Sequence, residues 1–296
     1  AGHLSRHFKP WLLGMSVVVV VLTACIGLNR INDVFNEYFD ETFEVRRVND
    51  FAMNNLTGMH RIDYAVHSGE SGGAMEPAYL QHIDDLTVWL EQQDEVVYAT
   101  AYTDVIKRLN RDMHGGDPAW YRIPESRELI SQYTLLYELS LPQGLGLEDQ
   151  LDIDKEQARV IVMLENIGSR PVLEFNDRVE TWMQDNWPQI MQTKGTGMDI
   201  LFGRVTMRNI QSMLSGALIA LISVSVLLVI ALRSVRYGIL SLLPNLLPAA
   251  MAFGLWGLVN GEIGLAVSVV ACMTLGIVVD DTVHFLSKYV RAKREL

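Results

Sequence analysis

The sequence has few of the residues from which disulfide and metal sites are built. Only two cysteines, Cys25 and Cys272, occur in 296 residues, and both lie within apolar runs. They form no CxxC pair and no cluster with histidine, which argues against a disulfide framework and against a structural metal site. We therefore expect the protein to hold no metal and no bound cofactor, and both cysteines to act as small apolar side chains.

Basic charge is also scarce where a nucleic-acid-binding protein would need it. Residues 29–208 contain 31 acidic and 16 basic residues, a net charge of −15 against −11 for the whole chain. Such a surface argues against nucleic acid as a partner, because binding to phosphate needs a basic footprint. The histidines of this region are scattered without ligand spacing, and no catalytic constellation stands out. The sequence therefore does not indicate an enzyme.

Charge is nearly absent from four long stretches, and this absence indicates the architecture. A transmembrane helix needs roughly 20 apolar residues to cross the hydrocarbon core of a bilayer. Four stretches approach or exceed that length, and they comprise residues 11–28, 210–232, 239–259 and 265–286. We predict three parts: the N-terminus with the first span (1–28), one large domain (29–208) and a three-helix membrane bundle with a basic end (209–296).

Lysine and arginine flank these stretches asymmetrically. They precede the first span, fill the link between the second and third spans, and follow the fourth: Arg6, Lys9, Arg233, Arg236, Lys288, Arg291, Lys293 and Arg294. The link between the third and fourth spans has no basic residue. Because basic residues are retained in the cytoplasm, both termini and the 233–238 link are predicted to be cytoplasmic. Residues 29–208 are then extracytoplasmic.

Two strand–helix–strand patterns occur within residues 29–208. Apolar residues alternate along predicted strands at 61–67 and 158–164, further strands are predicted at 95–101 and 189–199, a helix is predicted to begin at Pro77, and Ser169 is predicted to cap another. These patterns predict an α+β membrane protein whose outer domain has a ferredoxin-like, split βαβ arrangement. A helical insertion is expected at 124–137.

Two adjacent carboxyl groups, Asp280 and Asp281, stand within the last apolar stretch. An ionised aspartate at membrane depth costs about 2.5–3.5 kcal/mol on insertion scales. Asp280 lies roughly 23 Å along the helix from Leu265, in the inner half of the bilayer. Removal from water favours the protonated form of a carboxyl group, and a neighbouring carboxylate favours it further. The pair is predicted to be a proton relay; alternatively, it neutralises a Lys or Arg on another helix.

Polar and small residues surround the pair on the same predicted helix. Gly276 and His284 stand four residues before and after Asp280 and share its face. Gly276 would let another helix approach closely. Thr282 adds a polar group beside the pair, and His284 either extends the relay towards the cytoplasm or has a role at the helix end.

Two prolines, Pro244 and Pro248, interrupt the third apolar stretch and flank Asn245. Proline removes a helical hydrogen bond, and broken helices are tolerated in membranes where they pack against protein or line a cavity. We predict a helix break and packing site at these three residues. Gly257 and Gly261 form a second predicted face for close packing.

These motifs together resemble the RND superfamily, and within it the MMPL-like exporters with a sterol-sensing-type membrane domain. The residues that carry the resemblance are Leu243-Pro-Asn-Leu-Leu-Pro248, Gly254-Leu-Trp-Gly257 and Gly276-Ile-Val-Val-Asp280-Asp281-Thr-Val-His284. The order of one span, a large outer domain and a run of spans is similar to one half of such a transporter. The resemblance implies twelve spans in two halves, of which this chain corresponds to the seventh through the tenth. It also implies that the acidic pair meets polar partners on a helix of the missing N-terminal half.

The function implied is export of hydrophobic or amphiphilic molecules, lipids or drugs, driven by the proton gradient across the bacterial inner membrane. One alternative is a lipid- or sterol-sensing membrane protein that does not pump. Another is an accessory subunit of protein export. Related exporters occur as trimers and as monomers, so the sequence leaves a homo-oligomer open.

Overall fold

A computed structural model of the chain describes residues 8–142 and 146–295, and these divide into two units. The membrane unit consists of the described residues up to Asp33 together with those from Val205 onwards. The middle unit is Val34–Arg204. Arg6, one of the basic residues used to predict orientation, lies outside the described residues.

Long apolar helices dominate the membrane unit. They are α1 (Phe8–Ala24), which continues as a 3₁₀ turn at Cys25–Leu28, and α7 (Met198–Leu232), α9 (Leu242–Val259) and α10 (Leu265–Glu295), with a short α8 (Val235–Leu240). Four segments of the described chain are long and apolar enough to cross a membrane: Lys9–Leu28, Met198–Ala231, Gly238–Val259 and Leu265–Ala292. The prediction of four spans is confirmed, and the protein is a multi-pass membrane protein by this criterion. The second and fourth helices are longer than predicted, because charged residues continue both helices beyond their apolar parts.

Helices α1 and α9 pack at very short distance through glycine. A methyl group at Gly254 would overlap the carbonyl oxygen of Leu22, and one at Gly257 would lie 2.7 Å from that of Cys25. The side chain of Asn29 donates a hydrogen bond to the carbonyl oxygen of Phe253 at 2.8 Å. The predicted close-packing role is therefore confirmed for Gly257. Gly261 follows α9 with φ of 80°, and its carbonyl oxygen accepts a hydrogen bond from the backbone N–H of Arg30 at 2.8 Å, so the chain after the first span also approaches it closely.

A small parallel pairing joins the ends of two of the membrane helices. Strand β1 (Arg30–Ile31) pairs with β5 (Glu262–Ile263), which lies between α9 and α10. Just after β1, Asp33 Oδ1 accepts a hydrogen bond from the backbone N–H of Leu265 at 3.0 Å. An N–H in the first turn of a helix has no partner within the helix, so the Asp33 carboxylate satisfies one of them.

The middle unit is built on an antiparallel sheet of three strands. These are β2 (His60–His67), β3 (Val96–Ala101) and β4 (Gln157–Leu164), in the order β2–β4–β3. Every second side chain of β4 is buried, and Val162 pairs with both Ile62 and Ala99. All three strands were predicted, β2 and β4 from alternating apolar residues, and the structure confirms them.

Helices of the middle unit complete its core. They are α2 (Glu44–Asn55), α3 (Pro77–Leu90), α4 (Tyr102–Met113), α5 (Arg127–Ser140) and α6 (Ser169–Asn186). The apolar stripes of α3 and α6 share one hydrophobic core with the sheet. Helix α5 matches the predicted insertion within three residues, whereas α4 was not expected. Part of the loop after α5, residues 143–145, is outside the described residues.

The strand predicted at 189–199 is wrong. The segment forms a 3₁₀ turn at Gln189–Met191 and makes one isolated antiparallel bridge, between Asp63 and Thr196. Gly195 and Gly197 flank Thr196, and Gly197 has φ of 133°, a conformation that breaks a strand. Helix α7 then begins at Met198. The described residues of the middle unit thus form an α+β unit with three strands.

Candidate functional site

The acidic pair lies on the surface of helix α10, inside a candidate membrane span. Asp280 and Asp281 are both exposed in the membrane unit. The span runs from Leu265 to Ala292, so the pair is separated from both of its ends by more than ten residues. Neither carboxylate has a hydrogen bond or an ion pair with any residue that the structure describes. Two carboxyl groups without a partner are costly inside a membrane span, which makes this position the candidate functional site.

Thr282, directly after the pair, has the opposite environment. It is buried, and its hydroxyl donates a hydrogen bond to Asn245 Oδ1 on α9 at 2.6 Å. The same hydroxyl lies 3.0 Å from the carbonyl oxygen of Val278, one turn earlier on α10. This hydrogen bond joins α10, at the residue directly after the acidic pair, to the proline-containing helix α9. The sequence placed Thr282 beside the pair and Asn245 at the prolines, but did not bring the two together.

The Asn245 side chain is incompletely satisfied. It is 1% exposed, and among the described residues its Nδ2 has no hydrogen-bond partner. A buried amide group without partners costs about 1–3 kcal/mol. The bond from Thr282 is therefore the main compensation for placing this amide between α9 and α10.

A helix interruption lies close to the prolines. Helix α9 contains both Pro244 and Pro248, and the interruption falls at Ser241, between α8 and α9 and three residues before Pro244. Pro244 occupies the first turn of α9, where its missing N–H removes no hydrogen bond within that helix. Pro248 lies in the helix interior and does remove one. Asn245 stands between them, facing α10.

Gly276 and His284 lie on the exposed side of α10, as Asp280 does. A methyl group at Gly276 would meet no described atom within 4 Å. The close helix approach predicted there is therefore not made by any helix that the structure describes. Close packing at Gly276 stays a prediction about a helix outside the described residues.

Apolar grooves adjoin the polar residues. Asp281 and Thr282 line one groove of about 470 Å³ together with Pro244 and Phe285. A second groove of about 390 Å³ runs between α9 and α10, and its lining includes Asn245 and Trp256. The carboxyl group of Asp281 thus borders a surface suited to apolar chains or to another helix.

The middle unit contains no comparable constellation. No group of three His, Cys, Asp or Glu residues able to hold a metal occurs in the described parts of the chain. His60 has one ring nitrogen 2.7 Å from Asp199 Oδ1 and the other 2.7 Å from the carbonyl oxygen of Ile167. This bridge lies within the middle unit, because Asp199 is in the first turn of α7 and the membrane unit resumes only at Val205. It was not predicted, because His60 and Asp199 are 139 residues apart.

We expect Thr282→Val to lower the stability of the membrane unit by about 1–3 kcal/mol, because it leaves the buried Asn245 amide without its partner. The midpoint of thermal denaturation in detergent measures the effect. Thr274→Val is the matched control on α10, because Thr274 is exposed and its hydroxyl bonds only to the carbonyl oxygen of Val270. Equal midpoints for the two variants would contradict a role for the bond between helices.

Comparison with known proteins adds no identification. A scan against models of protein families finds no match, and a search of curated proteins finds none either.

Proposed function

We propose that this chain is part of an exporter of hydrophobic or amphiphilic molecules, driven by the proton gradient across the bacterial inner membrane. The resemblance of its motifs to RND transporters of the MMPL-like branch supports the proposal. The observation that carries it is the exposure of two adjacent carboxyl groups, Asp280 and Asp281, inside a candidate membrane span. Intramembrane acids are rare and are typical of ion and proton pathways.

In the proposed mechanism the pair takes up and releases a proton as its surroundings alternate between polar and apolar. A charged carboxylate needs water or a partner, whereas a neutral carboxyl group is tolerated in an apolar groove. Protonation of Asp281 would therefore favour closure of the groove that it lines with Pro244 and Phe285. Thr282 would transmit the resulting shift of α10 to α9 through its bond to Asn245.

The proposal requires polar groups from outside the four described helices. Because neither aspartate has a partner in the described residues, we propose that another part of the transporter supplies partners. The expected source is the N-terminal half implied by the resemblance. Gly276, with no described neighbour, would admit that helix one turn away from Asp280.

The middle unit is proposed to be the extracytoplasmic porter domain. Its strand order β2–β4–β3 is that of three strands in a split βαβ, ferredoxin-like sheet, and the bridge between Asp63 and Thr196 lies beside β2, at the edge where a fourth strand would pair. The acidic surface of this domain would suit neutral or cationic amphiphiles better than anionic ones.

The test is uptake into everted vesicles, in which an exporter pumps its substrate inwards, prepared from cells that express the complete gene, with a fluorescently labelled fatty acid and an amphiphilic cationic dye as probes. We expect accumulation of at least one probe that stops when a protonophore collapses the gradient. Vesicles from cells without the gene are the control. Accumulation that continues without a gradient would contradict proton coupling.

A second candidate is a lipid-sensing protein that binds without pumping, and the groove between α9 and α10 favours it. Its lining is almost wholly apolar, and Asn245 adds a single buried amide. Binding of the fatty-acid probe without gradient-dependent accumulation would support this candidate over the exporter.

A further inference from the structure

Helix α2 of the middle unit turns apolar side chains towards the outside of the protein. Val45, Val48 and Phe51 on α2, and Leu56 directly after it, are between 48% and 74% exposed. A surface helix of a soluble domain normally turns its apolar stripe to the core. Here the apolar side chains face away from the protein and form an exposed apolar surface.

Polar side chains of α2 hold the helix from the other side. Arg46 forms an ion pair with Asp50 at 2.8 Å, and the amide of Asn36 donates to Asp50 Oδ1 at 3.1 Å. Asn49 in turn donates to Asn36 Oδ1 at 3.0 Å, and Asn36 is 2% exposed. This network fixes α2 against the 3₁₀ turn at Phe35–Tyr38 and sets the direction of the apolar face.

An aromatic cluster precedes α2 in the chain. The rings of Phe35 and Phe39 are 6.3 Å apart and those of Phe39 and Phe43 are 5.9 Å apart, yet all three side chains are between 37% and 65% exposed. Aromatic residues are enriched where membrane proteins meet the bilayer–water interface. The cluster and the apolar side of α2 together form what we call the aromatic face, residues 35–56.

Chain length limits how far this face can lie from the membrane. Asp33 is bonded to Leu265, the first residue of a candidate span. Two residues of chain reach at most about 7 Å, so Phe35 lies within that distance of Asp33. The polar headgroup layer is itself roughly 5–7 Å thick on each side of the hydrocarbon core. The aromatic face therefore begins at headgroup depth.

We propose that the aromatic face lies in the bilayer–water interface. Residues 34–56 contain five acidic and two basic residues, a net charge of −3. Attraction to anionic lipid is therefore excluded as the driving force, and burial of apolar side chains at the headgroup–acyl boundary drives the contact. The interfacial helix is independent of proton coupling and would exist in the lipid-sensing alternative too.

Spin labels on α2 test the proposal in the complete protein reconstituted into phosphatidylcholine bilayers. Cys25→Ala and Cys272→Ala remove the native thiols, and Val48→Cys or Asn54→Cys supplies one label site. Both side chains are exposed, and they point about 120° apart around the helix. Neither substitution disturbs the core, so folding is preserved in both.

We expect the label at position 48 to be several-fold more accessible to oxygen than to a water-soluble nickel chelate, and the label at 54 to show the reverse. The difference should persist in high salt and without anionic lipid. Nickel access at both positions would overturn the proposal in favour of a free surface. Exclusion of both reagents from position 48 would overturn it in favour of a protein partner.

Discussion

Replacing Asp280 or Asp281 by Asn should reduce proton-driven efflux to the level of vesicles that lack the protein. Asparagine has nearly the shape of aspartate but cannot take up or release a proton, so it tests titration rather than packing. Accumulation of the amphiphilic probes in everted vesicles measures the result, and a pH-sensitive dye reports proton movement in the same sample. Uncoupled binding of the probe should survive, because the apolar grooves are unchanged.

Glu262→Gln is the matched control for this substitution. Glu262 is an exposed acid of the same unit that lies in β5, between two membrane helices and outside the apolar part of either. Its neutralisation should leave efflux unchanged. Undiminished efflux in both aspartate variants would reject the relay.

Stability distinguishes a relay from the alternative in which the pair neutralises a cation on another helix. Removing one partner of a buried ion pair leaves an uncompensated charge and costs about 3–5 kcal/mol. A relay aspartate without a permanent partner should be replaced by Asn with little effect on stability. Loss of efflux with an unchanged denaturation midpoint is therefore the result expected for a relay.

Gly254→Ala should strongly destabilise the membrane unit. The added methyl group would overlap the carbonyl oxygen of Leu22, and a backbone atom cannot rotate away as a side chain can. Helices α1 and α9 would have to separate, and overpacking of this kind costs about 1–3 kcal/mol or more. The midpoint of thermal denaturation in detergent should fall, and cross-linking between α1 and α9 should weaken.

Gly216→Ala gives the opposite expectation and serves as the control. Gly216 lies within α7, and a methyl group there would meet no described atom within 4 Å. Alanine is favoured over glycine in a helix interior by about 0.5–1 kcal/mol, so this variant should be as stable as the parent or more stable. A midpoint for Gly254→Ala equal to that of Gly216→Ala would contradict the close packing of α1 on α9.

The local pattern of apolar and polar residues was sufficient to predict most helices and strands, because hydropathy and alternation are properties of neighbouring residues. It predicted the four spans and the strands β2, β3 and β4. It failed at 189–199, where apolar and polar residues alternate in part but Gly195 and Gly197 prevent extended pairing. The positions of single polar residues could be read from the sequence, but their partners could not.

The candidate site shows the same limit. Asp280, Asp281 and Thr282 attract attention in any apolar stretch, since polar groups there are costly. That Thr282 bonds to Asn245, 37 residues away, depends on how two helices rotate against each other, and neither helix determines that alone. Gly254 was part of a recognised motif, yet its contact with Leu22 becomes evident only when α1 and α9 are paired.

The bond from Asp33 to Leu265 spans 232 residues of chain, which has a consequence for synthesis in the cell. Translation adds residues at about 5–20 per second, so the first span leaves the ribosome roughly 10–50 s before its partners in α9 and α10 exist. During that interval Asn29 and Asp33 must find other hydrogen-bond partners, and the backbone surface that receives Gly254 is covered by lipid or by the insertion machinery. Assembly of the membrane unit is therefore a late event, timed by the length of the domain that is translated between its parts.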